Sequence, residues 1–137
     1  MDMILEKKVM TIARNARAWA EQKARELNQA YNLPALSCWC AIASGKLHTD
    51  LVAADIPAVI GLSESEGAHA YVVVDDHVVD ITATQFGIKE KIFVRHLKEA
   101  DRYWWYKEPM FFNSSSDLRK YQQHRRWPRS QVAYKNY

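Results

Sequence analysis

The segment His69–Phe86, HAYVVVDDHVVDITATQF, constrains the fold more than any other part of the chain. Two valine-rich runs flank Asp75 and Asp76, and strand-forming residues on either side of a short polar turn predict a β-hairpin. If the two aspartates form the turn, His69 and Asp80 project from the same face as diagonal neighbours, because side chains alternate between faces. A three-residue turn would instead place Asp80 on the opposite face. The two-residue turn therefore predicts a histidine and a carboxylate within reach of each other.

Two cysteines precede this hairpin in the segment Ser37–Ser44. Cys38 and Cys40 stand where a loop is predicted to enter a helix, and the N-terminus of a helix stabilises a thiolate. Cysteine, histidine and aspartate are the residue types of a nucleophile, its base and the group that orients the base. Together they predict a thiol-dependent acyl-transfer enzyme. The Cys-x-Cys spacing suits neither a disulfide nor the usual metal-binding pattern, so no metal and no other cofactor are predicted.

These residues resemble the transglutaminase-like branch of the papain-fold superfamily. Cys40 opens the run Cys-Ala-Ile-Ala-Ser, His69 opens His-Ala-Tyr-Val on one predicted strand, and Asp80 lies in Val-Asp-Ile-Thr-Ala-Thr-Gln-Phe on the next. The runs also look like those of small bacterial and phage-encoded members. The resemblance covers residues 37–87 and implies an α+β fold with a papain-like (transglutaminase-like) core, in which N-terminal helices pack on an antiparallel sheet.

The resemblance implies a catalytic triad of Cys40, His69 and Asp80 that acts through a thioester on an amide bond of a peptide or protein. Cys40 is favoured as the nucleophile, because it aligns with the family's cysteine and is expected in the first helical turn. Cys38 remains the alternative. Water would resolve the thioester by hydrolysis, as in a cysteine peptidase or deamidase, and an amine would resolve it by transfer, as in a transglutaminase. The sequence leaves this choice and the oligomeric state open.

Two further residues are candidates for the site. Gln85 is either a donor to a substrate oxygen or oxyanion, or a structural amide that caps the strand. Trp39 is either a wall of the substrate groove or an anchor for the helix. An inert, buried cysteine is the structural alternative to a nucleophile. It would leave a catalytically silent papain-fold protein that binds other proteins as an inhibitor or interaction module.

Hydrophobic periodicity predicts the elements on the N-terminal side of the hairpin. Apolar residues recur at three- and four-residue steps through the N-terminal helix, residues 1–33, while charged residues such as Arg17 fall mostly between them. A second helix is predicted from Cys40 to Ala54, with small residues that allow close approach of the sheet. The segment Ile56–Gly61 is predicted to be the first strand.

Residues 88–137 are predicted to complete a single domain with strands and a basic C-terminal helix. The candidate strands are Ile92–Val94 and Tyr103–Tyr106, since β-branched and aromatic residues favour strands. The run Ser114-Ser115-Ser116-Asp117 offers an N-cap for the last helix, which should run to about Trp127 before Pro128 ends it.

Composition and charge set the remaining expectations. The 137 residues are 48% hydrophobic with only 4 Gly and 4 Pro, which suits one domain with a proper core. The net charge is +3, but residues 117–137 contain six Lys or Arg and one Asp. This basic aromatic segment is either a weak nucleic-acid contact or a solvated helix face. The chain shows neither a membrane-spanning run nor a signal-peptide core, which predicts a cytoplasmic protein without a membrane partner, in the host cytoplasm if phage-encoded.

Overall fold

The computed structural model describes residues 1–27 and 39–134, so Cys38 and the end of the predicted N-terminal helix lie outside the described residues. The helices are α1 (Met3–Glu26), α2 (Cys40–Ala53), α3 (Leu97–Ala100) and α4 (Ser115–His124). The strands are β1 (Val59–Ser63), β2 (His69–Val74), β3 (His77–Asp80), β4 (Phe93–His96) and β5 (Met110–Phe112). The strands form one antiparallel sheet of order β4-β3-β2-β1-β5. Together with the helices, this sheet makes an α+β fold. No helix in the described ranges combines the length and apolar character needed to cross a bilayer.

The predicted two-residue turn of the central hairpin is confirmed. Val73 lies opposite Val78 and Val74 lies opposite His77, which leaves only two residues between β2 and β3. Asp75 and Asp76 have φ angles of 48° and 58°. Positive φ at both central positions is typical of a type I′ turn, whose twist matches that of the flanking strands. This register places the side chains of the first residue of β2 and the last residue of β3 on one face.

Helix α1 packs against helix α2, and its stripe of mostly small residues joins the core that α2 shares with the sheet. The Asp2 side chain caps the helix by accepting a 2.7 Å hydrogen bond from the backbone N–H of Leu5. The buried apolar residues of this stripe are Val9, Ala13, Ala16, Ala20 and Ala24. Arg17 shares their face and is 4% exposed, which corrects the expectation that it lies on the charged outer face. It is buried because backbone and hydroxyl oxygens in the core accept hydrogen bonds from its guanidinium.

Helix α2 begins at Cys40, and its small residues bring it close to β2. The predicted range, Cys40 to Ala54, matches the observed Cys40–Ala53 to within one residue. One turn after Cys40, the Ser44 hydroxyl donates a buried 3.1 Å hydrogen bond to the carbonyl oxygen of Ala70. Ala70 follows His69 in β2. This hydrogen bond ties the cysteine helix to the histidine strand.

The C-terminal third differs from the sequence-based expectation at two points. Tyr103–Tyr106 is not a strand, because Trp104–Tyr106 forms one turn of 3₁₀ helix and the strand follows later as β5. Trp105 and Tyr106 are buried in an aromatic cluster against the sheet, and this packing overrides their strand propensity. Helix α4 is capped by the hydroxyl of Ser114, the first residue of the predicted capping run, but ends at His124 rather than near Trp127. Outside the C-terminal third, the first strand, β1, also starts later than predicted, at Val59.

Gly61 allows a close crossing of β1 by an aromatic ring. A Cβ atom at Gly61 would lie 2.6 Å from two ring atoms of Tyr71, its partner in β2. We therefore expect Gly61→Ala to lower the free energy of unfolding by about 1–3 kcal/mol, the usual cost of overpacking. Gly61→Val should lower it further, as measured by urea denaturation. Strand propensity alone predicts the opposite sign, since glycine weakens a strand interior. Variants at least as stable as wild type would contradict the packing argument.

Candidate functional site

The site centres on a direct contact between a buried histidine and a buried aspartate. Nε2 of His69 lies 2.6 Å from Oδ2 of Asp80. The two residues are 0% and 1% exposed. His69 is the first residue of β2 and Asp80 the last residue of β3. Because the antiparallel register puts both side chains on one face, the hairpin itself brings the acid and the base together.

The Asp80 carboxylate is saturated with hydrogen-bond donors. Its Oδ1 accepts from the backbone N–H of Thr82 at 2.8 Å and from the Thr82 hydroxyl at 3.3 Å. Its Oδ2 accepts from the Tyr106 hydroxyl at 2.7 Å, in addition to the contact with His69. A buried carboxylate remains charged only when such donors replace its lost hydration. These contacts therefore keep Asp80 an anion inside the core.

The charge of Asp80 determines the protonation of His69. Burial alone would lower the pKa of His69, but the opposing charge and hydrogen bond of Asp80, with a smaller contribution from Cys40, raise it to about 9. For Asp80 the directions are reversed, since burial alone would raise the pKa of this carboxyl. The charge and hydrogen bond of His69, together with donors from Tyr106 and Thr82, hold the pKa of Asp80 below its usual value. The pair therefore exists as an imidazolium and a carboxylate at neutral pH.

Cys40 lies beside the histidine on the first residue of α2. Hydrogen bonding and charge from its thiol contribute to the raised pKa of His69. Nε2 of the ring faces Asp80, and Nδ1 faces the amide of Gln85. The Cys40 residue is 5% exposed and packs against Leu62 of β1 and Leu118 of α4. The structure thus brings the three predicted triad residues to one place.

The other predicted site residues have structural contacts. Gln85 donates from Nε2 to the carbonyl oxygen of Thr82 at 3.0 Å, and the same nitrogen lies 3.4 Å from Nδ1 of His69. Its amide thus holds the turn after Asp80, as the capping interpretation expects. Trp39 is 1% exposed and packs with Ala24 and Ile42 at the start of α2. Cys38 lies outside the described residues.

Aromatic rings enclose the histidine. Phe86 meets the His69 ring edge-on at a centroid distance of 4.8 Å. The rings of Tyr71 and Tyr106 lie at 5.9 and 5.8 Å. Rings packed this closely exclude water, and exclusion of water strengthens the attraction between the imidazolium and Asp80.

Sequence reasoning missed two residues that support this arrangement. Arg17 of α1 donates from Nη1 to the carbonyl oxygen of Ile81 at 2.7 Å and to the Thr84 hydroxyl at 3.1 Å. Its spacing of four from Ala13 places it on the apolar stripe, and that signal was available in the sequence. Tyr106 lies 26 residues from the aspartate it contacts, in a segment predicted to be a strand. No local pattern pointed to that contact.

Among residues 1–27 and 39–134, no group of three or more His, Cys, Asp or Glu side chains is arranged to hold a metal ion. No protein-family model matches the sequence, and no curated protein or solved structure is significantly similar to it. Function is therefore inferred from the side chains of the site.

Arg17 should stabilise the turn that carries the acid. Arg17→Met removes the donors to Ile81 and Thr84 and leaves a buried carbonyl unpaired, which costs about 1–3 kcal/mol. Arg14→Met is the matched control, since Arg14 is exposed on the same helix. We expect thermal and urea unfolding to show a loss only in the Arg17 variant. Equal stability of the two variants would contradict this role.

The His69–Asp80 pair should make stability depend on pH in a defined window. His69 has a raised pKa in the folded protein, so its contribution is complete below the unfolded value of 6.5 and is lost as the pH rises through about 9. Asp80 has a lowered pKa, so its contribution is complete above 3.8 and is lost as the pH falls. Between pH 6.5 and 9, the free energy of unfolding of wild type should therefore fall relative to that of the double variant His69→Gln, Asp80→Asn. Parallel pH profiles of the two proteins in urea denaturation would refute this linkage.

Proposed function

We propose that this protein is a cysteine-dependent hydrolase or acyltransferase that acts on an amide bond of a peptide or protein. The observation that carries this proposal is the 2.6 Å contact between His69 and Asp80, with the Cys40 thiol beside the same ring at the start of a helix. A nucleophile, a base and an orienting acid in this order are the components of thiol-based acyl transfer.

We also propose that the α+β architecture is a papain-like, transglutaminase-like core. Two features support it: a helix that begins with the cysteine, and an antiparallel sheet whose adjacent strands carry the histidine and the aspartate. The Ser44 to Ala70 hydrogen bond holds these two layers in contact near the sulfur.

In the resting site His69 already holds the proton that Cys40 has lost, so the reaction begins from a Cys40 thiolate beside the imidazolium that Asp80 stabilises. The sulfur then bonds to the carbonyl carbon of the substrate, and the resulting oxyanion lies near the N-terminal end of α2, whose dipole favours negative charge. The imidazolium gives its proton to the departing amine as the carbon–nitrogen bond breaks, leaving a thioester. Water or a second amine attacks the thioester, with His69 accepting its proton, and the Cys40 sulfur leaves.

A catalytically silent binding protein is the second candidate function. Burial favours it, because Cys40 is 5% exposed and His69 is fully buried. A carbonyl group reaches the sulfur only where an opening forms beside α2. Reaction of the thiol with a small electrophile therefore separates the enzyme from the silent protein.

A nucleic-acid contact is the remaining alternative. Four basic side chains are exposed on α4 and in the segment that follows it: Lys120, Arg125, Arg126 and Arg129. The guanidinium of Arg125 lies over the Tyr121 ring, 5.3 Å from its centroid, so cation and aromatic surface are adjacent. Binding to DNA or RNA that weakens steeply with added salt would favour this reading.

Alkylation with iodoacetamide, followed by intact-mass measurement, identifies the attacking sulfur. At pH 7, Cys40 should react faster than free cysteine, because the imidazolium and the helix start stabilise its thiolate. Cys38→Ala should leave the fast reaction intact, and Cys40→Ala should abolish it. His69→Gln should slow it by about tenfold or more, the effect expected when the paired cation is lost.

His77→Gln is the matched control, since His77 lies at the turn end of the same hairpin, away from Asp80. In the His77→Gln variant, Cys40 should react with iodoacetamide at the wild-type rate. If neither cysteine reacts faster than free cysteine while the chain remains folded by circular dichroism, the silent binding protein is favoured instead. Fast reaction at Cys38 alone would reassign the nucleophile.

A further inference from the structure

Tyr106 and His69 approach the same oxygen of Asp80. The Tyr106 hydroxyl donates to Oδ2 at 2.7 Å, and Nε2 of His69 lies 2.6 Å from that atom. Oδ1 is already occupied by the two Thr82 donors. Oδ2 of Asp80 therefore shares its negative charge between two hydrogen-bond donors, the phenol of Tyr106 and the imidazole of His69.

We propose that Tyr106 is a positioning residue of this site, which holds the Asp80 carboxylate against His69 and limits how strongly that carboxylate attracts the imidazole proton. Only its catalytic consequence rests on the proposed function. The division of charge holds whether or not the protein turns over a substrate.

Packing fixes the position of the Tyr106 ring. The residue is 4% exposed and lies parallel to Phe93, with ring centroids 6.1 Å apart. Tyr71 meets it edge-on at 4.8 Å and donates from its hydroxyl to the Tyr106 carbonyl oxygen at 3.4 Å. Since the ring is held on both sides, its hydroxyl has a defined direction, toward Asp80.

Tyr106 acts as a hydrogen-bond donor throughout the working pH range. Burial and the charge of Asp80 raise its pKa far above the usual value for tyrosine, so the phenol keeps its proton. The same hydrogen bond lowers the pKa of Asp80. The titratable and polar groups that face the His69 ring from the packed elements are Cys40, Tyr71, Asp80, Gln85 and Tyr106.

Loss of the phenol should make His69 more basic. Without Tyr106, Oδ2 keeps more negative charge for its hydrogen bond to the imidazolium, and charge-assisted hydrogen bonds strengthen as the acceptor becomes more basic. A more basic imidazolium is a weaker acid toward the departing amine. Asp80 thus keeps His69 charged at neutral pH, and Tyr106 keeps the imidazolium able to release its proton to the leaving group.

The test is an NMR titration of the His69 ring in wild type, Tyr106→Phe and Tyr103→Phe. The midpoint in Tyr106→Phe should rise by about half a pH unit or more, the effect of removing one charge-assisted hydrogen bond from Asp80. Tyr103→Phe is the control, because it removes a phenol from the same cluster whose oxygen contacts Arg102 instead. Its midpoint should match wild type. An unchanged or lowered midpoint in Tyr106→Phe would overturn the assignment.

A second variant keeps the test decisive if Tyr106→Phe does not fold. 3-Fluorotyrosine placed at position 106 retains the ring and is a stronger donor, so the His69 midpoint should fall. A midpoint equal to that of wild type would count against the role of Tyr106.

Titration in a Cys40→Ala background separates this assignment from the enzyme proposal. The background removes the thiol, so the midpoint shift on substituting Tyr106 depends only on the coupling through Asp80. A shift in a protein whose cysteines do not react quickly would overturn the enzyme proposal alone. Rapid alkylation of Cys40 without a shift would overturn the assignment of Tyr106 alone.

Discussion

The buried contact between His69 and Asp80 is the interaction on which the rest of the structure depends. Removal of two charges from water is costly, and their attraction offsets that cost only when the remaining polar atoms are also paired. Three separate parts of the chain meet this requirement. Thr82 and the 3₁₀ helix bearing Tyr106 supply donors to the carboxylate, and Arg17 of α1 holds the turn that follows it. The fold around the pair can be understood as the means of keeping it charged.

The sequence specified the local features of this arrangement and not the distant ones. The hairpin and its two-residue turn were predictable, because two valine-rich runs flank the polar Asp75-Asp76 pair. A three-residue turn was the alternative, and the pairing of Val74 with His77 decides between the two. The start of α2 at Cys40 was also predictable, because it depends on the local sequence. The contact between Arg17 and Ile81 joins residues that are 64 positions apart in the chain, and no local sequence pattern predicts it. The aromatic residues 103–106 favour a strand when only the local sequence is considered. Their 3₁₀ turn depends on packing against the sheet, which the local sequence does not show.

Charge state and access make separate demands on the sulfur. The imidazolium of His69 and the start of α2 place positive charge beside the Cys40 sulfur. The Cys40 residue is 5% exposed, between the sheet and α4. An enzyme needs both a charged sulfur and an opening to it, whereas a silent binding protein needs neither. The pair of His69 and Asp80 supplies a positive charge for the first demand, and the packing of α4 against α2 bears on the second.

The protonation of His69 at neutral pH is the most direct measure of this account. Nitrogen-15 NMR of the imidazole in the wild-type protein at pH 7 distinguishes a doubly protonated ring from either neutral tautomer. The account predicts protons on both Nδ1 and Nε2, with the Nε2 proton in the hydrogen bond to Asp80. A neutral ring at that pH would contradict it, because Asp80 would then not be holding a positive charge beside the Cys40 sulfur.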